Sequence, residues 1–132
     1  MRHELMHLLA VGVGGFVGAV LRFLLSGLPQ RLVLEKFGRV LPVGTLLVNV
    51  IGCLLIGVLM SLVLEQKLTG SLRYLLITGC LGSLTTFSTF GWETLELLRE
   101  EQFQLAFLNV AANVLVGLFA VWAGFSLMRA LT

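Results

Sequence analysis

The amino-acid sequence predicts an all-α membrane protein of four transmembrane helices, the third of them broken near its middle. Three observations carry that reading. The 132 residues are 58% hydrophobic and 12% charged, with a mean hydropathy of +1.01, too little charge to solvate a soluble domain of this size. Stretches almost free of charge recur at residues 5–28, 40–64, 74–92 and 103–128, each suited to a hydrocarbon core that takes about 20 helical residues to cross. The third stretch carries GSLTTFSTFGWE at 82–93, with five hydroxyls between Ser83 and Thr89. No period-two alternation persists, and a barrel would need many more segments. No linker, repeat or low-complexity tract interrupts the chain, so residues 1–132 form one domain.

The first span runs over 5–21, with His7 inside it, and continues past Arg22 to Leu28. Its apolar region is long and no A-x-A-like cleavage site follows, so it does not read as a secretory signal. Within it, Gly14 and Gly18 are four apart, with Gly15 and Ala19 on an adjoining strip, a spacing that lets helix backbones approach closely in lipid. A dinucleotide-binding glycine motif is excluded, because Val17 stands where the third glycine belongs and no strand precedes it. Arg22, one turn beyond Gly18, either snorkels to the interface or presents charge to a water-filled mouth. The segment LPQRLVLEKFGRVLP that follows holds Pro29 and Pro42 and has room for a short interfacial helix.

In the second span Thr45, Asn49 and Gly52 share one helical face. A carboxamide in hydrocarbon needs partners, so Asn49 makes an interhelical hydrogen bond or lines a polar path. EQKLTGS is a tight connector to the third span. There Gly79 and Gly82 weaken the helix, and the hydroxyls that follow compete for its backbone groups. A break at that depth is tolerated only where it is buried in protein or lines a polar cavity. It also creates carbonyls able to hold a cation and amides that favour an anion. Thr85, Thr86 and Ser88 suit a helix cap. Phe87 and Phe90 are a turn apart, with Thr86, Thr89 and Glu93 on the neighbouring strip. Ring edges carry partial positive charge and can face an anion without trapping it. LREEQ leads to the fourth span, where Asn109 and Asn113 pair across helices or line a path. Trp92 and Trp122 are packing residues or interface anchors.

Several classes are excluded. Cys53 and Cys80 stand alone in apolar runs, and His3 and His7 have no metal-ligand company. No nucleophile–base pair or metal cluster can be assembled, so the chain is not an enzyme. A net charge of +2 with no basic patch excludes a nucleic-acid partner. Four spans would put Arg2, Lys67, Arg73 and Arg129 on one side, against Arg22, Arg31, Lys36, Arg39 and Arg99 on the other. Orientation normally follows an excess of Lys and Arg on the cytoplasmic side, and four against five is almost none. Either the topology is fixed under a weak signal or chains insert both ways and pair antiparallel.

The motifs GGFVGAVLR at 14–22, GTLLVNVIG at 44–52 and GCLGSLTTFSTFGWE at 79–93 resemble those of the bacterial Fluc (CrcB) fluoride channels. The likeness covers essentially the whole chain in length, span number and motif order. TTFSTF is highly specific, GTLxVN fairly so, and the glycine run weak by itself. The resemblance implies a dual-topology, antiparallel homodimer in the bacterial inner membrane, with two fluoride pores and a central structural sodium ion. It implies that the backbone carbonyls of Gly82 and Thr85 hold the sodium. It places Asn49, Phe87 and Phe90 in the pore, Thr45, Thr89 and Glu93 near the permeation path, and Arg22 near a vestibule. In the last helix the chain departs from the family's small hydroxyls, offering Asn109, Asn113 and Gly117. The implied activity is passive, selective fluoride export. The competing readings are a dual-topology proton-coupled multidrug transporter, for which Glu93 is the candidate carboxylate of the third span, and a membrane scaffold subunit.

Overall fold

The computed structural model describes residues 2–37 and 41–132, and every regular element among them is helical. Helix α1 is Arg2–Phe37 and α2 is Val43–Leu64. Helix α3 covers 70–84, α4 is Phe87–Arg99, and α5 is Phe103–Leu131. Arg39 and Val40, which enter the charge count and the start of the second span, lie outside the described residues.

Helix α1 is longer than the apolar pattern indicates. The sequence places a loop with room for a short interfacial helix after Leu28, but α1 runs on through Pro29 to Phe37. Pro29 supplies no N–H to the carbonyl one turn back, yet its fixed φ is helical, and a long helix tolerates one such loss inside a membrane protein. At 36 residues α1 is about 54 Å long, well beyond a hydrocarbon core of roughly 30 Å. The extra turns carry Arg31, Glu35 and Lys36, residues for water or headgroups.

Three helices among the described residues are long and apolar enough to cross a membrane: Arg2–Lys36, Val43–Leu64 and Phe103–Leu131. Their surfaces agree with a lipid or protein surround. Phe16 is 73% exposed, Phe107 71% and Trp122 62%, a density of bare apolar groups that water does not tolerate. Helices α3 and α4 are each shorter. Gln66 and Glu101 take φ values near +58° and +59° to reverse the chain in the short connectors after α2 and α4.

Two helix pairs make up the fold, α1 with α3 and α2 with α5, joined where α1 meets α2. In both pairs the glycines set the closeness. A Cβ on Gly14 would fall on the Leu75 carbonyl and one on Gly18 on the Cys80 carbonyl, while Gly79 answers from α3 beneath the Val11 carbonyl. Gly57 of α2 lies under Val121, and Gly124 of α5 lies under Leu54. Without a hydrophobic force between helices in lipid, such backbone contact is a principal source of association. Val48, Leu81 and Leu84 form the small buried core, placed around the end of α3.

Candidate functional site

The helix of α3 ends at Leu84. Thr85 and Thr86 are extended (ψ 155° and 115°), and a new helix begins at Phe87. The local sequence explains the interruption. Ser83 and Thr85 hydroxyls donate back to the carbonyls of Gly79 and Leu81 (2.7 and 3.0 Å), the competition that weakens a helix from within. Thr86 caps α4, its Oγ1 accepting the Thr89 N–H at 3.2 Å. A cap of this kind stabilises a helix start by about 1 kcal/mol. Gly52, on the facing helix, leaves room for the Thr85 methyl, which a Cβ there would strike.

Two amides are diverted at this point. In a continuous helix Thr86 N–H would serve the Gly82 carbonyl, but here it donates to Asn49 Oδ1 at 2.8 Å. Thr89 N–H would serve the Thr85 carbonyl, but it goes to the Thr86 hydroxyl. The carbonyls of Gly82 and Thr85 therefore both lose their helical donors. Two such oxygens are hard, uncharged donors of the type that suits an alkali or other hard cation, so the residues present fit the sodium that the resemblance implies.

Asn49 behaves as a splint for the break. Besides receiving Thr86 N–H, its Nδ2 donates to the Thr86 carbonyl (3.2 Å) and to Asn113 Oδ1 (2.9 Å). The amide orientation is dictated by chemistry, because a backbone N–H can only meet its oxygen. The bonds continue in one direction. Asn113 Nδ2 donates to Asn109 Oδ1 at 3.0 Å, Asn109 Nδ2 to Thr94 Oγ1 at 2.9 Å, and Thr94 to the Phe90 carbonyl at 2.8 Å. The relay links α2, α5 and α4 and returns to the aromatic pair of α4. Chained amides polarise one another, and any one left unpaired at this depth is costly.

Eight of the nine sequence-selected residues fall into two neighbouring groups. Asn49, Gly82, Thr85, Phe87 and Phe90 line a cavity of about 440 Å³, together with Thr86 and Asn113. Arg22, Thr45 and Thr89 line a second of about 290 Å³ with Ser26. Thr86 lines both. Glu93 lines neither; it is buried and accepts the Thr45 hydroxyl at 2.8 Å, while its Oε2 has no partner among the described residues. Phe87 and Phe90 have ring centroids 5.4 Å apart, tilted by 56°. Phe87 is 82% exposed, a bare ring over the larger cavity.

Counting donors sharpens what this arrangement can bind. Both Asn49 amide hydrogens are engaged within the protein, as are the hydroxyl hydrogens of Thr45, Ser26 and Thr86. No described group accepts the hydroxyl hydrogen of Thr89, and none of the hydrogen bonds or ion pairs among the described residues engages the Arg22 side chain. The donors left for an anion include Arg22, Thr89, the ring edges and the Phe87 and Ser88 N–H groups, which open α4 without an intrahelical acceptor. Asn49, read from the sequence as an interhelical hydrogen-bonding group or the lining of a polar path, makes the interhelical bonds and also lines the larger cavity. Sequence reading did not select Thr86, Thr94, Asn109 or Asn113 as site residues. The i, i+4 spacing of the two asparagines was a signal, but their register against Asn49 depends on how α5 packs.

The chain is similar throughout to one group of membrane proteins. The profile of the family described as CrcB-like protein, Camphor Resistance (CrcB), matches residues 9–125. The chain is 47% identical over 124 residues to the "Fluoride-specific ion channel FluC" of Sulfurovum sp. (strain NBC37-1), an alignment covering 94% of each chain. It is 46% identical over 125 residues to the protein of the same name from Geobacter sulfurreducens (strain ATCC 51573 / DSM 12127 / PCA), with 94% of this chain and 98% of the relative covered. The protein so named from Methylobacillus flagellatus (strain ATCC 51484 / DSM 6875 / VKM B-1610 / KT) is 43% identical over 121 residues, covering 90% and 91%.

Proposed function

Since this chain belongs to the CrcB-like family, whose relatives are ion channels and not enzymes, we propose that it is a fluoride-selective channel. It exports fluoride from the cytoplasm by passive electrodiffusion. The observation that carries the reading is the interruption at Thr85–Thr86, with two diverted amides, two freed carbonyls and the phenyl pair beside it. Helices α3 and α4 cross the bacterial inner membrane together as the third of four spans. Two copies pair antiparallel, giving two pores, and the Gly82 and Thr85 carbonyls hold a structural sodium ion between them.

Fluoride is small and strongly hydrated, so a selective path must replace its water with donors. The uncommitted Arg22 guanidinium raises the local anion concentration at the mouth. The Thr89 hydroxyl donates as water leaves, and the edges of Phe87 and Phe90 carry the ion past the break without a deep fixed cation. Thr45 and Glu93 shape the wall between these groups. Asn49 keeps Thr86 and the aromatic pair in register.

Reconstituted in liposomes, the protein should release fluoride far faster than chloride, without a proton gradient. Equal rates for the two anions would remove the selectivity. Glu93, the only buried carboxylate among the described residues, is what a proton-coupled exchanger would use, and a strict need for a proton gradient would favour that alternative.

A further inference from the structure

About 18 Å along α2 from Asn49, by helical rise, lies a second polar feature that fluoride conduction does not use. Ser61 is 1% exposed and its Oγ has no hydrogen-bond partner among the described residues. It makes no back-bond of the kind that Ser26, Ser83, Thr85 and Thr94 make to the preceding turn. Ser61 lines a cavity of about 320 Å³ with Leu64, Glu65, Phe125 and Arg129. Leu64 and Phe125 make part of this cavity apolar. Opposite charges make the rest: the Arg129 guanidinium, 5.8 Å from the Phe125 ring centroid and in no ion pair among the described residues, and the Glu65 carboxylate. One oxygen of Glu65 meets Lys67 at 2.8 Å and the other accepts from Thr132 at 2.7 Å. Helix α2 ends at Leu64 and α5 at Leu131. With both read as membrane spans, as under the proposed function, the cavity lies at headgroup level.

We propose that this cavity is a phospholipid site selective for an ethanolamine headgroup. The phosphate is held between the Arg129 guanidinium and the Ser61 hydroxyl, and the primary ammonium turns toward Glu65. A guanidinium with one further donor is a strong phosphate cradle. A simple phosphate would face Glu65 at a cost, whereas a zwitterion places both its charges against opposite partners. A primary ammonium donates hydrogen bonds to the carboxylate, which a quaternary one cannot do. The glycerol and upper acyl carbons lie on Leu64 and Phe125. The buried hydroxyl of Ser61, costly if left unpaired, gains its partner.

The test uses the full chain, delipidated in detergent and offered equal amounts of phosphatidylethanolamine, phosphatidylcholine and phosphatidylglycerol, with retention read by native mass spectrometry. Phosphatidylethanolamine should be retained about tenfold over the other two. Arg129→Gln should lower retention of all three. Glu65→Gln should leave phosphatidylethanolamine and phosphatidylcholine equal. Ser61→Ala should weaken retention severalfold without lowering the unfolding temperature in lipid-free detergent, because its Oγ has no protein partner to lose. Soluble phosphoethanolamine should not displace the lipid at matched concentration; displacement would overturn the lipid as occupant. Equal retention of the three lipids, or a preference that survives both Arg129→Gln and Glu65→Gln, overturns the site and leaves water as the occupant of Ser61. Retention does not depend on conduction, so separate fluoride efflux measurements distinguish failure of this site from failure of the channel reading.

Discussion

Thr86 is the residue on which the break turns. Its N–H and carbonyl are both paired by one side chain, Asn49, and its own hydroxyl both accepts from and donates to Thr89. Thr86→Ser keeps that hydroxyl, and fluoride efflux should stay near the wild-type rate. Thr86→Val keeps the shape but removes the cap, worth about 1 kcal/mol; flux should fall roughly tenfold, and an unaltered rate would take Thr86 out of the site. The asparagine relay invites a stricter test. If Asn49 and Asn113 act as one unit, Asn49→Ala with Asn113→Ala should cost less than the two single changes together. A coupling of about 0.5–3 kcal/mol is the signature of residues sharing a network. Effects on flux that simply add would show two independent residues. Asn49 was legible in the sequence because a carboxamide in an apolar run demands partners. Its partners were not, since Thr86 and Asn113 are brought to it only by the packing of α2 against α3 and α5.

At the scale of elements, glycine spacing and hydroxyl density were the readable signals, and the two differ in what they disclosed. Gly14 and Gly18 announced a close helix contact, and the structure gives α3 as the partner. The clustered hydroxyls marked where helix α3 ends. The extension of α1 through Pro29 was hidden, because proline's local cost is outweighed by the hydrogen bonds on either side of it. The glycines support a differential prediction. Gly18→Leu and Gly124→Leu drive side chains into the carbonyls of Cys80 and Leu54 and should lower the unfolding temperature in detergent, at about 1–3 kcal/mol each or more. Gly12 and Gly27 meet nothing within 4 Å of an added Cβ. Gly12→Ala and Gly27→Ala should be neutral or stabilise α1 by up to about 1 kcal/mol. Comparable losses at all four positions would mean that close packing is not what the glycines provide. At the connector after α2, Lys67 and the Thr132 hydroxyl, both bonded to Glu65, hold its carboxyl below the usual carboxylate value. A value depressed in the folded state stabilises the fold above the unfolded-state value and stops doing so as pH falls through the folded one. Glu65→Gln should therefore be slightly less stable than wild type at neutral pH and equal to it in acid. The gap is small because the pair is exposed and screened.

For the whole molecule, the bare apolar surface and the balanced positive charge bear on one question, the orientation of the chain. A protein with a strong charge bias enters the membrane one way. On the proposed four-span topology the basic residues divide four against five between the two sides, so neither orientation is favoured. An antiparallel pair requires both orientations from one sequence. Two variants follow, one with three lysines added to the connector at 65–69 and the other with three added to the connector at 100–102. Each population should insert in a single, opposite orientation, read by labelling of an introduced cysteine from one side. Expressed alone, each should lose most fluoride efflux, because antiparallel partners are absent. Expressed together, they should restore it. Full efflux from either variant alone would mean that one orientation suffices, and the antiparallel dimer would fall while the channel reading stood.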